Sequence, residues 1–267
     1  MAGRLDALRR RRPAAASERG FRGGRIMPHR AMLRLDVSRW LLVDLVALPM
    51  IFLLAFFIAL DRLLIAWQSL FEMLHGPLGL PGTVAVRVVE IWPLVFAVPH
   101  FTAVGRWPSH ADLLVGWGLT VGLILLGTFL RGNWSPAGYF LRAIAFIQVT
   151  AQLWFTFSTA DFSYSLATHM SGLLANCLVI LFIAPVAVGG VYFIFDMPLW
   201  QKLLLGTIMA LHLMVFIPLL VVVHAWIIYR CSLLTLPLLS LIFGPLLLIF
   251  VFVALYGWAM SWRDGGP

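Results

Sequence analysis

Of the side chains that can move a proton or hold a charge, only a few lie within strongly apolar stretches, and those are the ones that need a chemical explanation. Arg87 and Glu90 are three residues apart in VAVRVVEIWPLVFAVPHFTAVG. On a helix that spacing shares a face and allows a local ion pair. In lipid it would make Glu90 the titrating group of a substrate or proton pathway, whereas near the interface the pair would only anchor the segment. Gln148, Gln152, Thr156 and Thr159 recur at steps of four, four and three, which draws one polar stripe along a helix. Such a stripe faces protein or water, as interhelical hydrogen bonds or as a substrate path. Arg142 heads that stripe and could meet an anionic group, or snorkel to the surface.

The histidines form a second group of candidates: His100, His110, His169 stacked one above Asn176, and His212 with His224. A membrane histidine bonds across helices, lines a wet crevice or ligates haem. His212 and His224 are about 120° apart at 100° per residue, so they do not share the face that paired axial ligands of a b-type haem need. A single haem b between His100 or His169 and one of that pair is the one cofactor arrangement the spacing leaves open; otherwise no cofactor is expected. Cys177 and Cys231 stand alone, without metal-ligand or disulfide spacing. HExxH, GxSxG, P-loop and paired-aspartate signatures are absent from the sequence.

The elements that must position these groups follow from composition. With 62% hydrophobic and 11% charged residues, the chain belongs in a bilayer. The +8 charge does not mark a nucleic-acid face, because residues 1–31 hold nine arginines against Asp6 and Glu18. Residues 1–39 therefore read as a basic disordered tail, with Met27 or Met32 as alternative starts. The transmembrane domain runs over 40–262, and 263–267 form a short C-terminal tail.

The expected fold is all-α, a polytopic transmembrane helix bundle. Candidate spans of about 20 apolar residues fall at 41–60, 84–104, 113–130, 139–159, 172–195, 203–227 and 233–260. Seven crossings from a cytoplasmic N-terminus scatter Arg62, Arg131, Arg142, Lys202 and Arg263 to the outside. If 84–104 is re-entrant or broken, as Pro93 and Pro99 suggest, six crossings return all of these but Arg62 to the cytoplasm. Gly118 and Gly122 have a GxxxG spacing suited to close helix contact, inside the chain or with a complex partner or second copy.

These features point to a multi-pass protein of the bacterial inner membrane, with the lipid bilayer as its partner and no nucleic acid. The leading function is a transporter or permease-like subunit for a small solute, ion or lipid-linked substrate. The alternatives are an intramembrane enzyme on lipid or polyprenyl-linked substrates, a haem-binding electron-transfer anchor, and a structural subunit of a membrane complex.

Overall fold

The computed structural model describes residues 43–80, 82–91, 94–158, 164–194 and 199–260. The expected tail 1–39 with its alternative starts, Thr159, and the segment 263–267 with Arg263 lie outside the described residues.

A π-helical turn, Val43–Ala47, leads into α1, Leu48–His75. A hairpin follows, β1 Val84–Ile91 and β2 Leu94–Phe101, and then α2 His110–Phe129, α3 Ser135–Phe157, α4 Leu166–Ile194 and α5 Leu199–Cys231. Two helices close the chain, α6 Leu236–Leu241 and α7 Pro245–Met260. Among the described residues six helical stretches are long and apolar enough to cross a bilayer, α6 and α7 together forming the sixth, Leu233–Ala259. The chain is thus a multi-pass helical membrane protein.

Of the two expectations for 84–104 the crossing helix is not found and the re-entrant or broken segment is: it is an antiparallel hairpin rather than a helix, with Val84 opposite Phe101 and Ile91 opposite Leu94. Two prolines would each remove a helical donor and clash with the preceding turn, while the valine-rich alternation fits a pleated surface. Phe96 and Val98 are buried and Val95 and Ala97 exposed, the period of two that a strand requires, and from Pro99 to Phe101 both faces are covered. Phe101 packs on Phe71 of α1 at 5.1 Å, and Phe96 stacks on Phe182 of α4 at 6.0 Å. The hairpin therefore lies along the bundle between α1 and α4 and returns to the end it came from.

That end gathers the last turn of α1, the starts of α2 and α4, and the turn between α5 and α6. Arg106 joins the start of α2 to the end of α5: its Nη2 donates to Asp112 Oδ1 at 2.7 Å and to the Arg230 carbonyl at 3.2 Å. Asp112 also closes a capping box with Ser109 at the start of α2, satisfying donors that a helix start leaves unpaired. The opposite end gathers Leu48, Val188, Leu205, Met209 and Ala259 in a separate apolar cluster.

Two proline effects bear on the site. Pro218 inside α5 has no N–H to give the Met214 carbonyl, and the Trp67 indole of α1 donates there instead at 2.9 Å. Pro245 cannot continue α6, so residues 242–244 leave the helix between α6 and α7. Gly244 occupies this break because a Cβ there would lie 2.7 Å from the Ser240 carbonyl oxygen.

Candidate functional site

At this break the freed Phe243 carbonyl accepts a hydrogen bond from His224 Nε2 at 3.0 Å. His224 Nδ1 lies 3.3 Å from His169 Nε2, and the two rings are nearly parallel, 6° apart with centroids at 5.6 Å. His169 Nδ1 in turn lies 3.2 Å from Ser240 Oγ. Three elements, α4, α5 and α6, each supply one side chain, and the break supplies the carbonyl. Both imidazoles are buried, with 2% and 1% of their surface exposed.

The network fixes its own direction when both rings are neutral. A carbonyl only accepts, so His224 Nε2 carries the hydrogen and Nδ1 bears a lone pair. His169 Nε2–H therefore donates to His224, and the Ser240 hydroxyl donates to His169 Nδ1. The chain can also take up one proton without losing a bond: protonated at Nδ1, His169 donates to Ser240 Oγ, which turns from donor to acceptor. A second proton would set N–H against N–H between the rings. The arrangement thus has the bonding pattern of a store for a single proton.

Beside it lies a crevice of about 360 Å³ between β1 and α4, bordered by Arg87, Glu90, Tyr164, Thr168 and Ser171 among others. The Tyr164 ring meets His169 edge-on at 6.3 Å, so one side chain separates the crevice from the histidine pair. Arg87 Nη1 donates to Ser171 Oγ at 3.4 Å. Because β1 is a strand, Arg87 and Glu90 fall on opposite faces of the ribbon. The local ion pair expected from helical spacing is therefore corrected: Arg87 turns to Ser171 of α4, and Glu90, opposite Val95 in the register, lies on the other face.

His100 is buried on β2 with Nδ1 unpartnered. Burial, with the nearby Arg87 charge adding to it against a backbone hydrogen bond at Val98, lowers its pKa below the ordinary 6.5. The unfolded chain then binds more protons than the folded one between that lowered value and 6.5, so stability is complete above 6.5 and falls as pH drops through this window. Thermal unfolding in detergent should show a larger loss between pH 7.5 and pH 5 for the natural protein than for His100→Leu.

In the polar stripe on α3 both glutamine amides donate to neighbouring elements, while the Gln152 Oε1 is buried without a partner. Gln152 Nε2 donates to Thr120 Oγ1 of α2 at 2.9 Å, and Gln148 Nε2 donates to the Leu234 carbonyl at 3.3 Å. Arg142 turns back to the Gly138 carbonyl at 3.2 Å and lies over the Tyr139 ring, away from the other polar groups. His212 stacks on Phe216 at 4.9 Å, apart from the pair, and Asn176 is exposed. The rings of His169 and His224 are in direct contact, which leaves no space for a porphyrin between them. Gly118 and Gly122 look outward with open space where a Cβ would stand, while the inner seam of α2 and α3 uses Gly127 against Gly138 and Gly116 against Gln152. Sequence reasoning missed Ser240 and the Phe243 carbonyl; the Gly244-Pro245 dipeptide inside an apolar span was the available signal.

No family model, no curated protein and no solved structure matches this chain.

Proposed function

We propose that the protein is a proton-coupled permease of a cytoplasmic-type bacterial membrane, with its N-terminal flank cytoplasmic, and that the His169–His224 pair carries the coupled proton. The observation that carries this reading is the pair's bonding to Ser240 and to the carbonyl of a broken helix. Transporters build ion and proton sites where a membrane helix is interrupted and its backbone groups are free. The crevice beside Tyr164 supplies a place for a small polar solute next to that proton. Six crossings put Arg131, Arg142 and Lys202 on the side of the basic segment 1–39 and leave Arg62, Arg87, Arg106 and Arg230 on the other, and it is the basic segment that tips the balance toward a cytoplasmic N-terminal flank.

The test is flux. Proteoliposomes in a mixed pool of small polar solutes, given a proton gradient, should accumulate at least one of them, and a protonophore should stop it. Gradient-independent behaviour for every solute would remove the proposal.

One observation favours a second reading, an intramembrane acyl transferase or hydrolase. Ser240 Oγ sits within reach of a histidine that a second group orients, the arrangement that activates a serine nucleophile. Against it, Ser240 does not border any of the three described crevices. Covalent labelling of Ser240 by a fluorophosphonate would favour the enzyme over the permease.

A further inference from the structure

We infer that the crevice between β1 and α4 binds a monovalent oxyanion at Arg87, and that this anion moves together with the single proton of the histidine pair. The coupling rests on the permease reading; the binding stands on the crevice alone. In the register Arg87 lies opposite Val98 on the face turned to α4, and Glu90, opposite Val95, lies on the other. Arg87 is therefore the charged side chain that this face presents to the crevice. Ser171 is buried and spends its own hydrogen on the Thr168 carbonyl at 3.2 Å, so it accepts from Arg87 and braces the guanidinium. Among the described residues no carboxylate pairs with Arg87, and its remaining N–H donors have no other partner. A cationic side chain within a membrane bundle needs a counter-charge. The planar fork of a guanidinium suits a carboxylate or a phosphodiester, which it holds through two parallel bonds.

The remaining lining fits one negative charge. His100, on the same face of the hairpin, is buried, and its lowered pKa leaves it neutral at pH 7. The Tyr164 hydroxyl stands at the same wall, 3.8 Å from where a Cβ on Gly172 would be, and has no hydrogen-bond partner among the described residues. It adds a neutral donor beside the guanidinium. The Tyr164 ring also meets His169 edge-on, so one side chain touches both the anion's space and the proton store. An anion there favours a proton on His169, and that proton favours the anion, because the coupling of two bound ligands is reciprocal. The store admits one proton, so one monovalent anion balances it and the loaded site carries the same net charge as the empty one. A dianion would leave a charge uncompensated. A cation would face both Arg87 and the proton.

Such an oxyanion is carried by a soluble monocarboxylate or by a lipid phosphodiester, and the test has an arm for each. In one, the full chain in maltoside detergent is titrated with formate, lactate and pyruvate, following thermal stabilisation. In the other, protein in phosphatidylglycerol nanodiscs is released into a native mass spectrometer and bound lipids are counted. Saturable binding is expected in at least one arm. Arg87→Gln should weaken it about tenfold or more, the scale of one lost charge-assisted hydrogen bond, and Arg87→Lys, which keeps the charge without the fork, should retain part of it. Binding undiminished in Arg87→Gln, or absent from both arms, overturns the inference. The same binding should tighten as pH is lowered in the natural protein and not in His169→Gln; an identical pH response in the two overturns the coupling. Transfer of the bound anion across proteoliposomes should follow a pH gradient and be unaffected when potassium and valinomycin clamp the membrane potential, since no net charge crosses. Proton-coupled flux of a neutral or cationic solute alone would sustain the permease and overturn this substrate class. Anion binding without any proton-coupled flux would instead remove the permease and leave the binding site standing.

Discussion

A His169→Gln protein is expected to fold normally and to lose proton-coupled flux by roughly 100-fold or more, the scale on which a positioned proton-transfer group acts. The glutamine amide can stand in for both bonds of the imidazole. Its NH₂ can donate toward His224 Nδ1 and its oxygen can accept from Ser240, the two contacts seen at 3.3 and 3.2 Å. It cannot, however, take up a proton at neutral pH. His169→Phe is the contrasting variant. It fills similar volume but leaves the His224 Nδ1 lone pair unsatisfied in a buried place, a cost of about 1–3 kcal/mol. That variant should lose thermal stability as well as flux. Flux and unfolding temperature in the same detergent preparation therefore separate the two roles. Flux surviving in His169→Gln would mean that the pair only braces α4 against α5.

How much of this site was legible beforehand depends on the distance over which each contact acts. His169 and His224 stand out as polar residues in apolar surroundings, because their cost in lipid is a local property. Their meeting was not legible, since it depends on how α4 and α5 pack over 55 residues of separation. Helical periodicity directed attention to Asn176 above His169, and Asn176 is exposed. The stripe at Gln148 and Gln152 was legible for the same local reason, and its partners Thr120 and Leu234 were not. The hairpin was legible as a re-entrant or broken segment but not as a pair of strands, for a different cause. Its length and hydropathy match a span; the paired prolines marked it as re-entrant or broken, but only the period-two alternation tells a strand pair from a broken helix. The break at Gly244-Pro245 falls inside 233–260, whose length and hydropathy match one unbroken span, and that hid the carbonyl on which His224 ends.

Gly244→Ala tests whether that break is a required part of the site. The added Cβ would stand 2.7 Å from the Ser240 carbonyl oxygen and 3.2 Å from that of Leu239, both backbone atoms that cannot rotate aside. The strain must be relieved by moving α6 against α7. Overpacking of this kind costs about 1–3 kcal/mol, and here it presses residue 244, next to Phe243, on the carbonyl of Ser240, the two residues that hold the ends of the histidine chain. Ser240 and Phe243 would shift relative to each other, so the 3.2 Å and 3.0 Å contacts cannot both persist. The expected result is a lower unfolding temperature together with loss of flux. Gly257→Ala on α7 is the control, because open space surrounds the position of its Cβ. Alanine is also the better helix former there, by about 1 kcal/mol, so the control should hold or gain stability with flux unchanged. A Gly244→Ala protein that unfolds earlier but keeps its flux would separate the break from the proton store, and the Phe243 carbonyl would then be a packing contact of His224.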